Sequence, residues 1–289
     1  MTYAADSFDT LPRMAPWVTS ACAETIEDVA FLSGAALNHL HLVLGRGDVP
    51  HALLRERLAL GAAEACVAFS GRPERAGDLR DAVHLARPGD LPGPAGEIHQ
   101  KWRGAVGGPL TPKALHRASG SIEAERIAGL LDVRGSPVGR AATVLETVLT
   151  EAPRADVAAL ILADAALALA LGWDRLVPLL AIGLKRPDLR KRGDDLAMAC
   201  HHALISSAIE AGRQAADLAR RVAHLKAVAP KLRAKKAGDA VEMFLTRDAV
   251  APMALPLPDR AARRLCDRLV TLGAVRELTG RDTFRLYGV

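Results

Sequence analysis

Apolar residues recur at three- and four-residue intervals over most of the chain, and clusters of Gly and Pro cut the pattern into helix-sized pieces. Residues 24–44 carry Ile26, Val29, Ala30, Leu32, Leu37, Leu40 and Leu44 at helical spacing, and residues 53–69 continue with Leu54, Leu58, Ala62, Ala65 and Phe69. The breaker Gly45-Arg46-Gly47-Asp48-Val49-Pro50 between them predicts an antiparallel helix pair. Arg87-Pro88-Gly89-Asp90-Leu91-Pro92-Gly93-Pro94-Ala95-Gly96 excludes helix until Pro94, which can start one leading to Trp102. Residues 104–112 form a second breaker that reads as a linker or a long surface loop. Beyond it, 122–131, 138–149, 156–171 and 194–228 all favour helix, with stops at Pro153, Pro187 and Pro230.

Composition sharpens this picture. Only ten of the 289 residues are Phe, Trp or Tyr, so Leu, Ala and Val must fill the interior, which suits packed helices and argues against an all-β fold. The length fits about two domains of ordinary size. The expected architecture is mainly α: a helical N-terminal body and a C-terminal winged helix-turn-helix carrying a short β-hairpin. Its divisions are a helical lobe over 1–106, a second lobe or a continuation of the same body over 107–238, and the winged unit over 239–289. The formal charge of +5 is uneven, since residues 225–289 hold thirteen Lys and Arg against seven Asp and Glu while the rest is nearly neutral. A basic C-terminal segment on a neutral body points to a local polyanion contact. Cys22, Cys66, Cys200 and Cys266 lie far apart without a CxxC pair and read as reduced, mostly buried thiols. The start of the chain lacks the pattern of a secretory signal, and the apolar run 157–171 is too short to span a bilayer and contains Asp164. A cytoplasmic location is expected.

The last 50 residues follow a different grammar. A short apolar helix over 240–245 follows Gly238-Asp239, Thr246 is placed to N-cap a second helix starting at Arg247, and Leu255-Pro256-Leu257-Pro258 forces a turn. Asp259 can cap a third helix over 260–272, which Gly273 ends where a left-handed residue is favoured. At about 100° per residue, Arg260, Arg263, Arg264 and Arg268 share one side of that helix. Leu265, Leu269 and Leu272 lie away from them and are expected to pack on the two preceding helices. A fork of guanidinium donors suits phosphate oxygens and the O6/N7 edge of guanine, although the same face alone also reads as solvated surface partly neutralised by Asp259 and Asp267. Residues 274–278 and 283–287 read as strands around Thr279-Gly280-Arg281-Asp282. Their alternation puts Phe284 and Leu286 on one face and Arg285 and Tyr287 on the other. Arg281 stands at the hairpin tip, within reach of a minor groove or the backbone.

Helix-turn-helix, arginine face, Gly273 stop and basic hairpin together resemble a bacterial winged-helix DNA-binding domain over residues 240–289. The resemblance implies sequence-specific binding of double-stranded DNA by a transcriptional regulator, with the body serving dimerisation or signal reception. It implies Arg260, Arg263 and Arg264 as base readers and Arg268, Arg281 and Arg285 as phosphate or wing contacts. A homodimer reading two half-sites is the geometry it suggests. Winged helices also contact proteins, so a protein partner is the first alternative. Lys231, Arg233, Lys235 and Lys236 form a basic connector that either tracks phosphates or simply ends a solvated helix. The ending Arg276-Glu277-Leu278-Thr279-Gly280-Arg281 through Phe284-Arg285-Leu286-Tyr287-Gly288, with the stretch 87–96, also resembles a bacterial family of helical proteins to which no activity is attached.

A helical body before a winged helix is similar to Fic-type AMP transferases, which makes a residual nucleotide-dependent enzyme the second alternative. Their His-Pro-Phe start and glycine-rich anion nest have no counterpart here: Trp173-Asp174-Arg175-Leu176-Val177-Pro178-Leu179-Leu180, read as lying in a comparable helical setting, supplies neither. GxxxxGK[ST] and GxGxxG are missing too. His39 and His41, two apart on a helix, point to nearly opposite sides, and His201 and His202 diverge, so no metal, cofactor or catalytic residue is assigned and the expectation is a protein that is not an enzyme. Asp164, inside an apolar run, needs a partner or a raised pKa, and pairing with an arginine or histidine from another helix is the expectation.

Overall fold

The computed structural model describes residues 13–20, 25–86, 89–232 and 236–289. Cys22, Arg87, Pro88, Arg233 and Lys235, singled out above, lie outside the described residues. The fold is mainly helical. After the short α1 (Pro16–Ser20) come α2 (Ile26–Leu44) and α3 (His51–Phe69), close to the predicted spans. Thr25 caps α2 by accepting the Asp28 N–H. Then follow α4 (Ala76–His84), α5 (Gly93–Gly107), α6 (Pro112–Ser119), α7 (Ala124–Leu131), α8 (Pro137–Glu151), α9 (Asp156–Ala170), the single turn α10 (Leu180–Gly183) and the 36-residue α11 (Gly193–Val228). The last segment holds α12 (Ala237–Thr246), α13 (Asp259–Thr271) and the two-residue strands β1 (Arg276–Glu277) and β2 (Tyr287–Gly288).

The long α11, about 54 Å at 1.5 Å per residue, is the spine. It packs along α2 and also meets α3, α8 and α10. The predicted pairing of α2 with α3 gives way to this arrangement: α2 spends its apolar face on α11, and α3 packs on α5. The second breaker is likewise corrected. Helix α5 runs through Gly104 to Gly107, and Thr111 caps α6 with Pro112 in its first turn, so residues 108–111 suffice as the connection. One apolar cluster runs from Val18 to Val289, so α12, α13 and β2 share a core with the body.

Helix α9 lies at the centre, packed against α8, with every residue from Ala158 to Ala168 buried. A helix apolar on all sides belongs inside, and its one buried carboxylate, Asp164, must then be satisfied there. The partner is the backbone rather than a basic side chain. Asp164 accepts the N–H of Leu179 (3.2 Å) and of Leu180 (2.9 Å), capping the otherwise bare start of α10. The segment 173–179 preceding α10, read as lying in a helical setting, is a loop without helix. None of the described helices is long and apolar enough to cross a membrane. Cys66, Cys200 and Cys266 are free and buried, and burial pushes each thiol up to about 12.

The buried Asp164 carboxylate gives stability a pH signature of its own. Burial pushes Asp164 from 3.8 up to about 7 against the pull of its amide donors. The folded state therefore holds this proton more tightly, and the Asp164 contribution to stability declines as pH rises from about 4 towards 7. Asp164→Asn is expected to remove that part of the slope in urea midpoints measured across this window. Asp164→Ala, which orphans buried amides, is expected to cost roughly 2–5 kcal/mol at any pH.

Candidate nucleic-acid interface

The C-terminal segment departs from the expected helix, helix, turn, helix. Helix α12 packs on α3, and Thr246 ends it, donating its hydroxyl to the Glu242 carbonyl instead of capping a second helix. Residues 247–251 are extended for two reasons. Val250 exchanges both backbone hydrogen bonds with Tyr287 (2.8 and 3.0 Å), and Asp248 is drawn inward to Arg57 and Arg80. The chain then passes through a 3-10 turn, Pro252–Ala254, against which α13 packs.

Pro258 precedes α13 without a side-chain cap, so Asp259 is its first residue rather than its cap, where its charge complements the positive helix end. Good helix formers continue the helix to Thr271. It stops in a Schellman motif: Gly273 adopts φ 67°, its N–H bonds the Val270 carbonyl (2.9 Å), and the Ala274 N–H bonds Leu269 (2.9 Å). Ala262, Leu265, Cys266 and Leu269 turn into the core, Leu272 is half-buried, and Arg260, Arg263, Arg264 and Arg268 are exposed. With no helix between α12 and α13, the leucines have the 3-10 turn as their near neighbour, not a second helix.

The four arginines do not form one set. Arg263 bridges Asp259 one turn earlier (3.1 Å) and lines a cavity of about 480 Å³ between α13 and the hairpin, whose walls also carry Asp267, Asp282 and Arg285. Arg260, Arg264 and Arg268 lie four residues apart on the other edge, rising about 6 Å per step. Among the described residues they have no hydrogen bond and no carboxylate within bridging distance.

The hairpin is shorter than predicted, pairing Arg276 with Gly288 and Glu277 with Tyr287. The Glu277 carboxylate bends the chain by accepting the N–H groups of Thr279 (2.8 Å) and Gly280 (3.0 Å), and Phe284 sits at φ 53°. That positive φ breaks the expected alternation. Phe284 is 69% exposed while Leu286 and Tyr287 are both buried, so the predicted faces are corrected. Arg281 is not a free tip: its guanidinium is held bidentately by Asp81 of α4 (2.7 and 2.7 Å). Arg285 donates to the Arg281 carbonyl (2.9 Å) and sits 3.5 Å from Asp282.

The pattern reading missed two basic groups that the fold brings together. Arg276 on β1 lies close enough to Arg221 of α11 that burial first, and then this like charge, lower it below the usual arginine range. No spacing rule links positions 55 residues apart. His41 and His201 find hydrogen-bond partners, Trp173 Nε1 (3.0 Å) and Ser33 Oγ (2.6 Å) respectively, and no group of three metal-ligating side chains exists among the described residues.

The family model described as "protein of unknown function (DUF1403)" matches residues 2–289, and the chain belongs to that family. No curated protein matches it.

The Arg281–Asp81 pair is 39% and 30% exposed at the side chains, which limits its worth to about 1 kcal/mol or less. Asp81→Asn should therefore leave the denaturation midpoint nearly unchanged while speeding amide hydrogen exchange over 279–285. An unchanged exchange rate there would show that the pair does not hold the hairpin.

Proposed function

We propose that this DUF1403 protein binds double-stranded DNA through residues 237–289, used as a winged helix-turn-helix with α13 as the recognition helix and the hairpin as the wing. The observation that carries the reading is the exposed row Arg260, Arg264 and Arg268 along one edge of α13, whose guanidinium groups meet no carboxylate within bridging distance among the described residues. Arg260 and Arg264, in the first half of the helix, are assigned to base edges, and Arg268 to a phosphate. Arg263 contributes less because Asp259 already satisfies part of its fork. Arg281 and Arg285 are wing contacts that engage backbone only once their present partners are exchanged for phosphates. The role is that of a transcriptional regulator, not an enzyme, with the helical body supplying dimerisation so that two copies of α13 meet two half-sites.

A second reading, a protein-contact module, draws on Met253 and Phe284, which are 76% and 69% exposed beside the α13 cavity. A stoichiometric partner that survives nuclease treatment and is lost with Phe284→Ala would favour it.

Under the DNA reading, replacing Arg260, Arg264 and Arg268 by Ala should weaken duplex binding at least roughly tenfold in an anisotropy titration at fixed salt. The slope of log affinity against log salt should shrink by about 0.9 for each phosphate contact removed. Arg263→Ala should matter less than any one of the three. Equal affinity of the triple variant and the parent chain, both with intact helical circular dichroism, would overturn the assignment.

A further inference from the structure

Three consecutive residues of α3 fan out to different surroundings. Arg57 reaches Asp248, and Glu56 receives Arg103 (2.9 Å). Arg55 is half-buried, yet it has no hydrogen bond and no ion pair within 4 Å among the described residues. It lines a cavity of about 480 Å³ shared with His41, His51, Trp173, Asp174 and Arg175. Its guanidinium is partly desolvated while its donors still reach solvent, the setting in which an anion can replace water as acceptor.

We propose that this cavity, formed by the end of α2, the first turns of α3 and the loop between α9 and α10, is a binding site for a small oxyanion carried on a phosphate or a carboxylate. The volume falls within the range of small-ligand sites. Two guanidinium groups, Arg55 and Arg175, line the cavity with a single carboxylate, Asp174, so the lining retains a positive excess. Burial lowers Arg55 below the usual arginine range, with Asp174 opposing and Arg175 reinforcing the shift. Arg175 spends one N–H on the Gly107 carbonyl (3.1 Å), which fixes its direction and leaves the rest of its fork available.

The histidines are held in defined tautomers. Trp173 Nε1 can only donate, so His41 Nδ1 accepts and the ring proton sits on Nε2 as a donor. His51 Nε2 lies 3.0 Å from the Arg46 carbonyl and must donate to it, so His51 shapes the rim and does not offer that proton to a ligand. The positive end of the 19-residue α3 adds to the field, since Pro50 supplies no capping side chain. The site stands independently of the DNA reading, because it uses none of the residues of α13 or the hairpin.

The test is calorimetric titration of the full chain with inorganic phosphate and, separately, with succinate, at constant ionic strength, together with the fluorescence of Trp173. Saturable binding of at least one probe is expected, and whichever binds more tightly distinguishes the phosphate from the carboxylate source. Arg55→Gln should weaken it roughly tenfold or more, Arg55→Lys should recover part of the loss, and Trp173→Phe should remove the fluorescence change while the heat persists. Should Arg55→Gln fail to fold, Asp174→Asn serves instead and should tighten binding by removing the counter-charge. Absence of saturable heat with both probes, or binding indifferent to Arg55 and Asp174, would overturn the proposal.

Discussion

The placement of the C-terminal segment depends on one carboxylate, Asp248, which is fully buried and held by Arg57 from α3 and Arg80 from α4. Burial alone would raise its pKa, but the hydrogen bond from Arg80 and the charges of both arginines outweigh that and hold it below the usual carboxylate range. Such a triad contributes little net stability relative to apolar packing, yet removing one member strands a buried charge and costs about 3–5 kcal/mol. What it supplies is position. It pins residue 248 beside α3 and α4, so that Val250 can pair with Tyr287. Gly288 must then pass so close to the Asp248 carbonyl that a Cβ there would lie 2.6 Å from it.

The surroundings of this lock make it sensitive to acid. His84, half-buried, and His99, fully buried, lie near it, and desolvation, aided by the charge of Arg103, pushes both down to about 4. Neutral in the fold and protonated when unfolded, they withdraw stability as pH falls from 6.5 towards 4, and Asp248 acts in the same direction. Asp164 in the middle of α9 opposes them. The molecule thus carries two buried polar anchors with opposite proton preferences, one orienting the C-terminal segment and the other orienting α10 and the loop before it.

Helical periodicity was legible because it is local: α2, α3, α8, α9 and α11 begin and end within a few residues of where caps, prolines and apolar spacing put them. The amphipathic character of α13 was equally legible, down to the Gly273 stop. What failed depended on distant partners. Thr246-Arg247 carries a good cap signal, but no local rule reports that Asp248 will be captured by arginines 191 and 168 positions earlier. The hairpin alternation failed at Phe284 because the Glu277 carboxylate gathers the turn amides and shortens the ladder. Asp164 was recognised as needing a partner, but the partner is the bare backbone of α10, and amides have no sequence signature.

Charge accounting connects the frame to the surface. In residues 225–289 thirteen cations accompany seven carboxylates, so the segment by itself cannot neutralise its own charge. The fold widens the gap. Asp248 takes its arginines from the body, Glu277 is spent on turn amides, Asp259 and Asp282 sit against Arg263 and Arg285, and among the described residues Asp81 comes the other way, to bridge Arg281. Asp248, Asp259, Glu277 and Asp282 are thus engaged in building the segment's shape, Asp267 lines the cavity beside α13, and among the described residues no carboxylate bridges Arg260, Arg264 or Arg268. A row of like charges about two turns long is maintained against its own repulsion by the apolar face beneath it and by the Schellman stop.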